Sequence, residues 1–328
     1  MTIWNKRKRL ETTIAGGSAD RLPVALWRHW PGDDQDAAAL AAAHLQWQQD
    51  YDWDLIKVSP ASSYCLVDWG VKDRWAGSLE GTREYTEHVV DQPADWEKLS
   101  VLDPRQGMLA VQIETLQRIG EGLGRETPFI ATIFSPLAQA KNIAGGERML
   151  SHLRSHPDAL HAGLKTITQS TINFIEAAKE TGISGIYFAT QHCRYALMGP
   201  EEFQRFGRPY DLEILAAADD LWLNLLHIHG RGVMFQEAAG YPVQIVNWHD
   251  RDGDINLAEG LQHINGAVSG GVSRWTLYQE GPAAALAEAQ EAMEQTGGRR
   301  FMLGIGCVAM TNTPLRNIRA LREFVDKK

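Results

Sequence analysis

The chain carries eight short apolar runs, most of them separated by stretches with helical spacing, and this alternation constrains the fold more than any other feature. The runs are Leu22–Arg28, Trp53–Ser59, Pro128–Ser135, Gly182–Thr190, Leu221–His229, Gln244–His249, Ala267–Ser273 and Arg300–Cys307. Most are continuously apolar rather than alternating, as strands buried on both faces require. Helical periodicity runs through Asp36–Tyr51 and Ser155–Glu180. The stretches Pro200–Ala218, Pro282–Thr296 and Pro314–Val325 each open on a proline, which suits the first turn of a helix. Eight such units predict a (β/α)8 TIM barrel, with a doubly wound open sheet as the alternative. No linker or low-complexity run divides residues 1–328, so a single domain is expected. Residues 61–126 are too long for one crossover. They predict an extended excursion after the second strand, holding Trp69, Trp75 and Trp96 and one helix over Gly107–Gly122, placed as a candidate lid.

Charge and cysteine content narrow the function. Lys and Arg total 32 against 41 Asp and Glu, a net charge of −9 that repels phosphate backbones and anionic lipid. Nucleic acid and membrane are therefore not expected as partners. Cys65, Cys193 and Cys307 are too few for a disulfide framework and fit a reducing compartment. No run approaches the ~18 apolar residues of a membrane span, and the first ten residues are basic and polar rather than a secretory signal. A cytoplasmic enzyme is the expectation.

In a barrel, function sits at the carboxyl ends of the strands. Those positions here are Arg28-His29, Ser59, Ser135, Gln191-His192-Cys193, His227-Ile228-His229, His249-Asp250, Ser273 and Cys307. His227 and His229 flank one residue, so a strand points both imidazoles to one face. With Cys307 at the end of the last strand they make a donor set suited to Zn²⁺, three protein ligands leaving one position open for catalysis. The plainer alternative is a set of unrelated mouth residues, a histidine on a backbone carbonyl and a buried thiol. His192 is a candidate pocket residue. His249-Asp250 reads as a base with its orienting carboxylate, or as a solvated loop pair. Arg28 is placed to clamp a carboxylate or phosphate, or to pair with Asp33, Asp34 or Asp36. Ser59, Ser135, Gln191 and Gly271 are candidate substrate contacts. The serines lack a nucleophile elbow, and Gly270-Gly271 and Gly304-x-Gly306 match neither a dinucleotide fingerprint nor a phosphate loop.

These residues resemble the uroporphyrinogen decarboxylase superfamily over nearly the whole chain. The resemblance rests on Leu22-Pro23-Val24-Ala25-Leu26-Trp27-Arg28, on Leu197-Met198-Gly199-Pro200-Glu201-Glu202-Phe203 with Pro209-Tyr210, and on Ser269-Gly270-Gly271-Val272. The most specific segment is Gly304-Ile305-Gly306-Cys307 followed by Thr313-Pro314-Leu315-Arg316-Asn317-Ile318. It implies a (β/α)8 barrel and, by analogy, a homodimer. Within the superfamily the chain is similar to the zinc-dependent methyltransferases, whose His-x-Cys…Cys motif falls on His227, His229 and Cys307, with His229 standing where the motif has its first cysteine. That branch implies methyl transfer between a thiol and a corrinoid carried by a partner protein, with Arg28 on the acidic end of the thiol and His192 or His249 lining the pocket. The decarboxylase branch matches less well. A second arginine is replaced by Trp30-Pro31-Gly32-Asp33, a tyrosine falls near Lys141, a late histidine near Gly306-Cys307, and an aspartate near Asp68. The runner-up is a cofactor-free decarboxylase of a smaller carboxylated substrate. A third reading is a non-catalytic barrel that binds a corrinoid or tetrapyrrole.

Overall fold

The structure is a computed structural model that describes residues 4–124, 126–253 and 255–327. Nine strands are found among them: β1 (Ile56–Lys57), β2 (Lys72–Arg74), β3 (Glu84–Glu87), β4 (Phe129–Phe134), β5 (Gly185–Thr190), β6 (Leu225–Ile228), β7 (Ile245–Trp248), β8 (Ala267–Val272) and β9 (Phe301–Ile305). Seven of them form one sheet in the order β1-β4-β5-β6-β7-β8-β9, and every neighbouring pair is parallel. Six of the seven coincide with the centres of predicted runs and the seventh, β1, occupies two residues of Trp53–Ser59. All are buried almost throughout, which is why their sequences do not alternate.

The eighth run, Leu22–Arg28, is not a regular strand. It makes isolated parallel bridges, Val24 to Leu303 and Arg28 to Ala309. Pro23 has no N–H to give, so a continuous ladder is interrupted where it would begin. The segment nevertheless touches both edges of the curled sheet. Ala25 N donates to Leu303 O and Leu303 N to Pro23 O on the β9 side, while Asp54 N donates to Val24 O on the β1 side.

Helices cover the outside of the sheet. Asp36 caps Ala37–Tyr51 by accepting from Ala39 N, and Ser135 caps Pro136–Ala144. The predicted helix over 155–180 is Pro157–Lys179, preceded by a separate helix, Gly146–Ser155. The predicted helix over 200–218 divides into Pro200–Phe206 and Arg208–Ala216, because Pro209 lacks the N–H that would carry one helix into the next. No helix among the described residues is long and apolar enough to cross a membrane.

The excursion after β1 contains the β2/β3 hairpin, a short helix at Pro93–Lys98 and the helix Gly107–Leu123. Asp68 caps that last helix, accepting from Met108 N (2.9 Å) and Leu109 N (3.1 Å), so it is occupied in local structure rather than in a catalytic site. Trp96 is fully buried and donates to His152 Nδ1. The hairpin tip is tied down: Leu79 O accepts from Thr311 N (2.7 Å) and Glu80 pairs with Arg274 (2.6 Å), linking it to the loop after β9 and to the helix Arg274–Gln279 after β8.

Candidate metal centre

His227 lies in β6, between Ala189 of β5 and Asn247 of β7, its register partners on either side. The pairing fixes its backbone and puts the Asn247 amide beside its ring. Both amide hydrogens of Asn247 are already used, on Ser269 O (2.9 Å) and Ile305 O (3.0 Å). Oδ1 therefore faces His227 as an acceptor only, and His227 Nδ1–H donates to it at 2.7 Å. That bond places the ring proton on Nδ1 and leaves the Nε2 lone pair bare.

Nε2 points at His229 Nδ1, 3.3 Å away. His249 Nε2 approaches the same atom to 3.4 Å and Cys307 Sγ to 3.7 Å. His249 Nδ1 faces the Asp252 carboxylate at 3.6 Å, so its second nitrogen is also free to act as a donor of electrons. The four ligand-type atoms all lie within 4.8 Å of one another. A tetrahedral Zn²⁺ with bonds of about 2.0–2.3 Å spaces its donors by about 3.3–3.7 Å, and the three contacts through His229 Nδ1 have that spacing. Three nitrogen donors and a sulfur fit zinc in kind as well as in spacing. Burial and the neighbouring imidazoles hold His227 well below the usual histidine range, and burial and the neighbouring cations hold His229 and His249 down at about 3, so all three rings are neutral. Burial pushes the Cys307 thiol up to about 12 in the metal-free site.

A small cavity of about 70 Å³ opens beside the cluster, lined by His227, His229 and Cys307 together with Lys57, Tyr187 and Gln191. Glu80 reaches it from the hairpin, which places the excursion at its mouth. Tyr187 stacks on His227 with ring centroids 5.4 Å apart and takes Lys57 Nζ over its ring face at 4.7 Å. Lys57 also donates to Ser59 Oγ (3.0 Å), and burial pulls its amine down to about 7.

The structure thus brings His227, His229, His249 and Cys307 together, and adds His249 to the three metal ligands expected from the sequence. Gln191 lines the cavity and accepts from Lys141 Nζ (3.2 Å). Ser59 sits behind Lys57. Ser135 is spent as a helix cap. His192 is buried apart from the cluster, its Nδ1 without a partner among the described residues, and burial holds it at about 3. Gly271 donates to Asp250 Oδ2 and accepts from Arg251, so Asp250 organises that loop while Asp252 takes the place beside His249. Arg28 lies over the Trp30 ring and is absent from the cavity lining; Asp34, one of its expected partners, pairs with Arg83 instead.

Sequence reasoning missed Lys57, Tyr187, Asn247 and Asp252. Two of these carried a signal. Lys57 and Asn247 are polar residues inside runs that read as strands buried on both faces, where an unexplained polar group has to have a partner or a task.

A parallel β/α scaffold with metal-capable side chains gathered where its strands end defines the class of molecule. The sequence model of the uroporphyrinogen decarboxylase (URO-D) family matches residues 5–328, and the chain belongs to that family. It is 22% identical over 343 residues to the methylcobamide:CoM methyltransferase MtbA of Methanosarcina acetivorans, with 98% of each chain covered. A solved methyltransferase from Methanosarcina mazei superposes with a TM-score of 0.88 at 20% identity, covering 99% of both chains. A uroporphyrinogen decarboxylase of Syntrophotalea carbinolica is 27% identical, but over 49% of this chain and 48% of its own length.

Proposed function

We propose that this protein is a zinc-dependent methyltransferase that moves a methyl group between a corrinoid, carried by a partner protein, and a thiol, in the cytoplasm. The observation that carries this reading is the convergence of His227, His229, His249 and Cys307 on spacings of 3.3–3.7 Å about one atom. Likeness to a methyltransferase along nearly the full length of both chains supports it, whereas the matches to uroporphyrinogen decarboxylases cover between 49% and 64% of this chain. The absence of any arginine from the described cavity lining disfavours a polycarboxylated substrate. Segment 22–28 serves in this reading as the eighth strand of a (β/α)8 barrel.

His227, His229 and Cys307 would hold the metal, with His249 as a fourth donor whose place an incoming thiol would take. Bound there, zinc would supply Lewis acidity that favours the deprotonated form of an incoming thiol. Asn247 fixes the His227 tautomer and Asp252 orients His249, which keeps both Nε2 lone pairs aimed at the centre. Tyr187 and Phe134 give the cavity apolar walls, and Glu80 and Thr82 on the hairpin cover it against water.

Elemental analysis of the purified protein tests the centre. The wild type is expected to hold about one zinc per chain and a His227→Ala/Cys307→Ala double variant none. A wild type that stays free of metal after incubation with zinc defeats the reading. Transfer from free methylcobalamin to a thiol, followed by the corrinoid absorbance, then tests the reaction itself.

A further inference from the structure

Lys57 is the buried cation of the cavity that no acid neutralises. Its Nζ donates to Ser59 Oγ and stands over the face of Tyr187, and among the described residues it has no carboxylate partner. Only 4% of its surface is exposed. An ammonium held this way, with no counter-charge, is disfavoured against the neutral amine. The titratable groups facing it come from every side of the cavity: His29 and His44 before β1, Tyr187 from β5, His227 from β6 and Cys307 after β9. None of these is an acid that would hold it charged at neutral pH. Glu80, the carboxylate in the lining, is committed to Arg274.

A thiol that enters this cavity and binds as a thiolate has to pass its proton to something. His227 and His229 turn their free nitrogens to the donor cluster, and His249 lies outside the cavity lining. His29, the remaining histidine of the lining, is held down at about 3 and is too weak a base. Glu80 is saturated by its arginine. That elimination leaves one basic lone pair in the cavity wall.

Resting on the methyl-transfer reading above, we propose that Lys57 Nζ is the proton acceptor for the incoming thiol. The S–H bond breaks with its electron pair left on sulfur, and an N–H bond forms from the Nζ lone pair. Thiol and neutral amine become thiolate and ammonium inside one cavity, with no change in the net charge buried there. Ser59 holds Nζ in place in both states, and Tyr187 offers its ring face to the ammonium once formed. Burial without a carboxylate partner disfavours the ammonium, so Nζ can accept a proton and return it to water afterwards.

The test counts protons. Zinc-loaded protein in weak buffer at about pH 8 is mixed with 2-mercaptoethanol, an uncharged thiol, and proton release is followed with a pH indicator. Wild type is expected to release far less than one proton per thiol bound. Lys57→Met, which keeps the shape without the base, and Lys57→Arg, which keeps a cation that cannot accept, are both expected to release about one. They should also lose about 100-fold in kcat/KM for the thiol. One proton per thiol from the wild type overturns the proposal whatever the variants do. Binding is reported separately by the sulfur-to-metal charge-transfer band of the cobalt(II)-loaded protein. A wild type without that band defeats the methyl-transfer reading itself, whereas a normal band with equal proton yields in all three proteins defeats the role of Lys57 alone.

Discussion

Asn247 Oδ1 accepts a hydrogen bond from His227 Nδ1 at 2.7 Å, and the two residues are register partners on adjacent strands. Because the amide nitrogen is pinned by two backbone carbonyls, the asparagine cannot rotate to offer a donor instead. The strand ladder therefore determines which nitrogen of His227 is free. Replacing Asn247 by Leu is expected to weaken zinc binding by about 10–100-fold, measured by competition with a chromophoric chelator on protein that keeps its circular dichroism. Unchanged affinity would mean that the ring needs no such anchor.

Metal binding should strengthen with pH. The three imidazoles are already neutral near pH 6, held there by burial, so they release nothing. Cys307, pushed up to about 12, is still a thiol and must lose its proton to ligate. Raising the pH favours that loss, so the apparent Kd for zinc should tighten about tenfold per unit between about pH 6 and 8, with about one proton released per metal. Titration calorimetry in two buffers of different ionisation enthalpy gives the proton count directly.

Stability has its own titration, outside the cluster. Asp211 is buried, accepts from the Tyr241 hydroxyl at 2.9 Å, and is pushed by burial up to about 7. A carboxyl whose folded-state value is raised contributes most to stability below its unfolded value. That contribution is lost as pH rises towards the folded value. Asp211→Asn, which cannot ionise, should therefore gain on the wild type by up to a few kcal/mol as pH rises from about 4 to 7. Urea midpoints across that range test the sign, and a constant difference between the two proteins would contradict it.

The tie between Glu80 and Arg274 holds the hairpin tip over the cavity. Both side chains are partly exposed, so the pair is worth only about 1 kcal/mol. Glu80→Gln should raise hydrogen exchange over residues 75–82 by about fivefold, leaving the strands of the main sheet unaffected. Exchange that rises uniformly over the chain would point to general destabilisation instead.

The parallel strands were legible because burial on both faces writes itself as a continuous apolar run, and the helices because proline and aspartate mark where they begin. The run at 22–28 looked like its fellows, since apolar content records burial and Pro23 interrupts hydrogen bonding without changing hydropathy. His227 and His229 could be paired from their spacing along one strand. That His249 joins them depends on how β6 and β7 lie side by side, and no local pattern encodes that register. Arg28 drew attention by its place at a run's end, yet its side chain turns to Trp30, a choice of rotamer that a sequence does not express. Asp250 and Asp252 are two residues apart in one loop, and the loop's path alone settles which of them faces His249.

Three short contacts of the donor cluster share a single atom, His229 Nδ1. His227, two residues back on the same chain, is clamped by paired strands on both sides. The sheet thus fixes where the first imidazole is rooted, while His229, just past the end of β6, keeps the rotation of its side chain. A larger ion would be met by turning one ring about a fixed neighbour, so the site has one jaw set in the sheet and one that moves.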